Sequence, residues 1–215
     1  MYEQDEHRMI RSTIRDFAEK EIKPRAKELD EKEEFSYEIT NQMGEIGLFG
    51  IVVPPEYGGQ GMDYLSYIIA VEEIARVDGS HAATVAAHNS LGIGPLYNHG
   101  NEEQKKLYLP PLCSGEGLWA FGLTEPEAGS DSRGSKTSAK LEDGQWIING
   151  SKIFITNGST DITRGITVQA ITGEVDGRKE FSTIIVDSGT KGLTARTMKE
   201  KMMWRASTTS ELFFY

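Results

Sequence analysis

Residues 124–134, Thr-Glu-Pro-Glu-Ala-Gly-Ser-Asp-Ser-Arg-Gly, gather hydroxyl side chains, acids, two glycines and a proline into one short stretch. The segment is too broken for a helix. It offers backbone N–H groups and the hydroxyls of Thr124 and Ser130, while Gly129 and Gly134 keep side-chain bulk away. Such a loop suits a large flat polar ligand, or a phosphate that must come close to the backbone. Its glycine spacing is neither that of the dinucleotide fingerprint nor that of the nucleoside-triphosphate loop, which also needs a lysine not found here. Glu125 and Asp131 could in principle serve as a base. Acids in tight turns usually accept from nearby backbone N–H groups, so a structural role is expected for both. The Gly-Gly-Gln-Gly run at 58–61 reads as a turn. His7, His81, His88 and His99 are scattered without metal-ligand spacing, and no metal site is expected. Cys113 is the single cysteine, which excludes an internal disulfide, and nothing around it would activate a thiol.

Two kinds of element must position that loop. In the first half, Ile10, Ile14, Phe17, Ala18, Ile22 and Leu29 recur at helical spacing, with Pro24 predicting a kink or break. Ser36 caps a second helix that ends near Gly47, and Asp63 caps a third through Leu65, Ile68, Ile69 and Ile74. An alanine-rich helix follows, with Ala82, Val85, Ala86 and Asn89 on one face. Asn101 and Gln104 form a capping-box pattern opening a helix expected to stop at Pro110. The second half reads as short β-branched or aromatic strands: 118–123, 145–150, 152–157, 166–172, 181–187, 193–198 and 211–215. Asp143-Gly144 is the expected centre of a hairpin turn. The fold class is therefore α+β: an all-α domain over 1–113, then a small antiparallel β-barrel or sandwich over 114–215. The apolar ending Glu-Leu-Phe-Phe-Tyr would make a sticky edge if exposed, so the chain is expected to be a piece of a longer protein.

The 215 residues carry a net charge of −10, which disfavours a general grip on nucleic acid or anionic membranes. No apolar run approaches the ~20 residues of a membrane span. The charged N-terminal segment lacks the apolar core of a secretory signal, and a cytoplasmic protein is expected.

Beyond these readings, Phe121–Gly134 resembles the signature of the acyl-CoA dehydrogenase family. Residues 146–158, Trp-Ile-Ile-Asn-Gly-Ser-Lys-Ile-Phe-Ile-Thr-Asn-Gly, resemble its second flavin-contacting segment, and 54–61 resemble a loop of its helical domain. The resemblance covers essentially the whole chain. It implies FAD as cofactor, an acyl-CoA substrate, electrons passed to an electron-transfer flavoprotein, and a tetramer when full length. It also implies that Phe121, Leu123 and Thr124 contact the flavin ring, Gly129 and Ser130 the pyrophosphate and substrate side, and Phe154, Ile155 and Thr156 a second wall. Ala87 and Leu91 would line the acyl pocket. Family members often carry tryptophan where Phe154 stands. The catalytic glutamate of the family lies on a C-terminal helical bundle, so the base is expected beyond Tyr215. Arg205 would pair with an acid or meet a cofactor phosphate, and a plain surface arginine is an equal alternative. Ser207-Thr208-Thr209 stands where many members have Ser-Asp-Thr. Two other readings stay open: an oxidase of the same fold that uses oxygen, and a non-catalytic module that binds flavin, acyl-CoA or a partner.

Overall fold

The computed structural model describes residues 4–215. Helix α1 (Asp5–Phe17) runs through a π-helical turn (Ala18–Ile22) into α2 (Lys23–Lys32). The π turn accommodates Pro24: the Lys23 N–H reaches back to the Ala18 carbonyl, so the ladder is already shifted where the proline lacks its donor. Ile10, Ile14, Ala18, Ile22 and Leu29 all face the core, as their spacing requires. Helix α3 (Tyr37–Glu45) is capped by the Ser36 hydroxyl and α4 (Tyr64–Ala75) by the Asp63 carboxylate. Helix α5 (Gly79–Ala87) passes through a second π turn (His88–Gly92) into α6 (Ile93–His99). Helix α7 (Glu102–Cys113) opens with the Asn101–Gln104 capping box but does not stop at Pro110. Both Pro110 and Pro111 lie inside it. The carbonyls they leave unpaired, at Lys106 and Leu107, belong to exposed residues where water can serve them.

Seven strands follow among the described residues: β1 (Leu118–Gly122), β2 (Ser138–Glu142), β3 (Gln145–Thr156), β4 (Thr163–Val175), β5 (Arg178–Asp187), β6 (Leu193–Thr197) and β7 (Thr209–Phe214). They form a curled sheet in the order β1-β4-β2-β3-β7-β6, with β5 also on β4. The α+β class holds, but the sheet is mixed rather than purely antiparallel. Strand β1 runs parallel to β4 and β2 makes a parallel bridge to it, while the other pairings are antiparallel.

Two predicted strands, 145–150 and 152–157, are one strand. Gly150 sits in it at φ 147, where a Cβ would lie 2.5 Å from the Thr137 hydroxyl, so a glycine that reads as a break is a point of close packing. The Asp143-Gly144 turn joins β2 to β3 with both residues at positive φ. Strand β7 is not a sticky edge. It pairs with both β3 and β6, and Leu212 and Phe214 are buried with Ala120, Ile155, Ile166, Val168 and Val186. The exposed edge from which a longer protein was expected is therefore not found.

The two halves are joined through buried polar groups. His88 is fully buried, donates from Nε2 to the Leu112 carbonyl (3.1 Å) and accepts at Nδ1 from the Trp119 N–H (3.2 Å). Burial pulls its pKa down to about 4, so the ring is neutral near pH 7 and ties two helical segments to β1. Asn157, at the end of β3, donates to the Thr84 carbonyl of α5 (3.1 Å). Arg205 reaches Glu33 (2.7 Å) and the Asp30 carbonyl (3.0 Å) at the end of α2.

Candidate functional site

The loop that leaves β1 is built around Glu125. The Glu125 N–H donates to the Ala128 carbonyl and the Ala128 N–H to the Glu125 carbonyl, closing a tight turn over Pro126-Glu127. The Glu125 carboxylate is buried and accepts from the N–H groups of Lys136 (2.6 Å) and Thr137 (3.0 Å) and from the Lys152 ammonium (2.8 Å). Burial works to raise its pKa, but the hydrogen bonds from Lys152, Thr137 and the backbone outweigh it and hold the carboxyl below its usual range. Glu125 is thus a structural acceptor and not a free base. Asp131 departs from the expected structural role: it is exposed, its carboxylate accepts from no N–H group among the described residues, and only its backbone carbonyl accepts, from the Gly134 N–H.

Strand β3 supplies the facing part of the site. Between Lys152, opposite Leu212, and Ile155, opposite Ser210, β3 holds one residue more than β7, which is a β-bulge. Strict alternation would send Lys152 and Phe154 to the same side. The bulge instead turns both Lys152 and Ile155 inward and leaves Phe154 60% exposed at φ 61. An aromatic residue held in the left-handed region is costly, and such strain concentrates where a side chain is presented for use.

Thr124 adjoins this bulge, because the Ile153 N–H donates to its carbonyl (2.9 Å). Thr156 pairs with Thr209 just beyond. The hydroxyls of Thr124 and Thr156 are half-buried and bond no group among the described residues. Gly129 is exposed, and a Cβ there would meet nothing within 4 Å, so packing within the chain does not require the glycine.

The structure therefore brings Thr124 beside the stretch of β3 that carries Phe154 and Thr156, while Phe121 in β1 and Leu123 just after it are half-buried. Gly129 and Ser130 lie on the exposed arm of the loop. Ile155 is different: its side chain is buried in the sheet core, so it can meet a ligand only through its backbone. Ala87 ends α5, one turn past the Thr84 carbonyl that holds Asn157. The π turn that follows buries His88 and Asn89 and leaves Leu91 exposed. Arg205 is engaged with Glu33, Asp30 and the Lys201 carbonyl, which is the acid-pairing role. Thr208, where many members have an acid, has its hydroxyl buried without a partner. Cys113 is buried, which pushes its thiol up to about 12.

Sequence reasoning missed Lys152, which was absorbed into an apolar strand. Its signal was a lone lysine between a serine and a run of β-branched and aromatic residues. A lysine fully buried at such a position must have a charged partner.

The fold is a helical domain followed by a curled mixed sheet, an arrangement shared with solved acyl-CoA dehydrogenases. Residues 4–116 match the acyl-CoA dehydrogenase N-terminal domain and residues 120–215 the acyl-CoA dehydrogenase middle domain. The chain belongs to the acyl-CoA dehydrogenase family. Among curated relatives, a short-chain specific acyl-CoA dehydrogenase of Clostridium acetobutylicum is 46% identical over 97% of this chain and 55% of its own length. Among solved structures, a butyryl-CoA dehydrogenase of Megasphaera elsdenii superposes with a TM-score of 0.92 at 38% identity, covering 100% of this chain and 56% of that one. An acyl-CoA dehydrogenase of Bacillus anthracis complexed with FAD gives a TM-score of 0.88 at 36% identity, covering 99% of this chain and 36% of that one. The chain thus spans about half the length of the curated relative it matches.

The residues present fit FAD. A flat aromatic face at Phe154, two hydroxyls without protein partners at Thr124 and Thr156, and open space over Gly129 are what an isoalloxazine ring and its polar edge require.

Proposed function

We propose that the chain forms the first two domains of an FAD-dependent acyl-CoA dehydrogenase, which oxidises the Cα–Cβ bond of an acyl-CoA thioester and passes the electrons to an electron-transfer flavoprotein. The observation that carries this reading is the outward-turned Phe154, held at φ 61 beside the partnerless hydroxyls of Thr124 and Thr156. When bound, FAD supplies the acceptor for the hydride that leaves Cβ. Phe154 packs against the ring face and excludes water from it. The Thr124 and Thr156 hydroxyls donate hydrogen bonds to the ring's polar edge, where they favour added negative charge without placing a full cation there. Gly129 and Ser130 offer N–H and hydroxyl groups to phosphate on the exposed arm. The α-proton goes to a base other than Glu125, which is fully engaged with Lys152, Lys136 and Thr137.

Titration with FAD, followed by flavin fluorescence and the visible spectrum, tests the reading. Saturable binding with a shifted spectrum is expected, weakened in Thr156→Ala. A flavin that stays free in solution at high protein concentration would sink it.

A further inference from the structure

Lys152 is the most deeply buried charged side chain of the sheet, with no exposed surface. Its ammonium donates to the Leu123 carbonyl (3.0 Å) and to the Glu125 carboxylate (2.8 Å). Those two acceptors flank Thr124. The Thr124 carbonyl in turn accepts from Ile153, the residue after Lys152. Three successive loop residues are therefore bonded to two successive residues of β3, and the next residue of β3 is Phe154. The other oxygen of Glu125 holds the N–H of Lys136, where the loop returns to the sheet.

A buried ion pair adds little to stability over a well-packed apolar pair of the same volume, since desolvation offsets most of the attraction. What it does impose is geometry. An ammonium needs acceptors in defined directions, and a carboxylate needs donors, whereas methylene groups would tolerate a loop shifted by an ångström or more. The demand falls at the one place where a glycine-rich loop, with little rigidity of its own, must meet a strained bulge.

We propose that the Lys152–Glu125 pair is the positioning clamp of the flavin site: it fixes Thr124 against the bulge that presents Phe154, and so sets how tightly and in what electronic environment the flavin is held. Neither residue touches the ring in this role; both act through Thr124 and Phe154. The proposal rests on the flavin reading above. It goes beyond it by assigning the site's geometry to two side chains that make no ligand contact.

The test compares the unsubstituted chain with Lys152→Met, Glu125→Gln and the double variant. Amide hydrogen exchange is read at Ile153, Lys136 and Thr137, with the β4–β5 ladder as internal reference. FAD affinity and the visible spectrum of the bound flavin are read on the same samples. The expected result is a tenfold or greater loss of protection at Ile153, Lys136 and Thr137, with the ladder unchanged. FAD affinity should fall about tenfold, the spectrum of the bound flavin should relax toward that of free flavin, and the double variant should be no worse than Lys152→Met. Protection falling equally everywhere, with the spectrum of bound flavin unaltered, would show a merely structural pair and overturn the proposal. Local loosening with unchanged FAD affinity and spectrum overturns it too. If the unsubstituted chain takes up no flavin, the functional reading itself fails, and the clamp's role at a flavin fails with it.

Discussion

Two buried carboxylates, one in each half of the molecule, show how the same chemistry is put to different ends. Glu73 on α4 is 1% exposed and receives Arg11 (2.6 Å), Arg15 through two hydrogen bonds (2.8 Å each) and Arg76 (3.2 Å). Arg15 is the largest influence, and together the three guanidiniums bring the carboxyl down to about 2. Glu125 has one ammonium and two backbone N–H groups instead. The helical cluster staples α1 to α4, two rigid elements already joined by an apolar seam through Ile10, Ile14, Ile69 and Ala70. The sheet pair orders a loop that has no such seam. Around Glu73 charge adds strength to a contact that patterning already specifies. Around Glu125 charge specifies the contact.

The largest effect should come from breaking the helical side of this comparison. Glu73→Ala leaves a cavity and three guanidiniums without their shared acceptor, and is expected to cost about 3–5 kcal/mol of stability. Urea unfolding measures it. A loss below about 1 kcal/mol would mean that the cluster is no staple.

The next effect separates the two sides by pH. His88 is held near 4 in the folded chain against an ordinary 6.5, so the unfolded state binds the extra proton between those values. Stability should be full above pH 6.5 and fall as pH drops toward 4, by about 3 kcal/mol in all. Glu73, whose folded value is depressed, keeps its contribution above about its ordinary 4.5 and loses it only as pH falls toward 2. Melting followed from pH 7 to 4.5 therefore reports chiefly the joint between the halves, and below that the carboxylates join in. A flat profile over the upper window would contradict the neutral, doubly bonded His88.

The smallest effect sharpens the sheet side. Phe154→Gly removes a strained exposed side chain from a bulge position that glycine favours. Stability should hold or rise by about 0.5–1 kcal/mol, while FAD affinity falls. A clear loss of stability would show that Phe154 supports the fold rather than the ligand.

Local chemistry was the legible part. The caps at Ser36, Asp63 and Asn101, the apolar spacing of α1, and the Asp143-Gly144 turn could be read from neighbours a few residues apart, because hydrogen bonds between nearby residues decide them. Strand β2 went unread because Ser-Ala-Lys-Leu-Glu has no strand preference of its own and is a strand through its pairing with β3. In the site, the motif resemblance pointed to Thr124 and Phe154, and the structural role of Glu125 followed from its place in a turn. Lys152 could not be placed, because its partner lies 27 residues away.

By itself the sequence determined most of the helices, their caps, the strand-rich character of the second half and the glycine-rich loop, since these depend on periodicity and on contacts within one turn. Only the tertiary structure decided that β1 runs parallel to β4, that β7 lies inside the sheet, that a single extra residue turns Phe154 outward, and that a buried lysine joins loop to strand. Each of these depends on which distant segment lies alongside, and on the cost of leaving a buried polar group without a partner once it does.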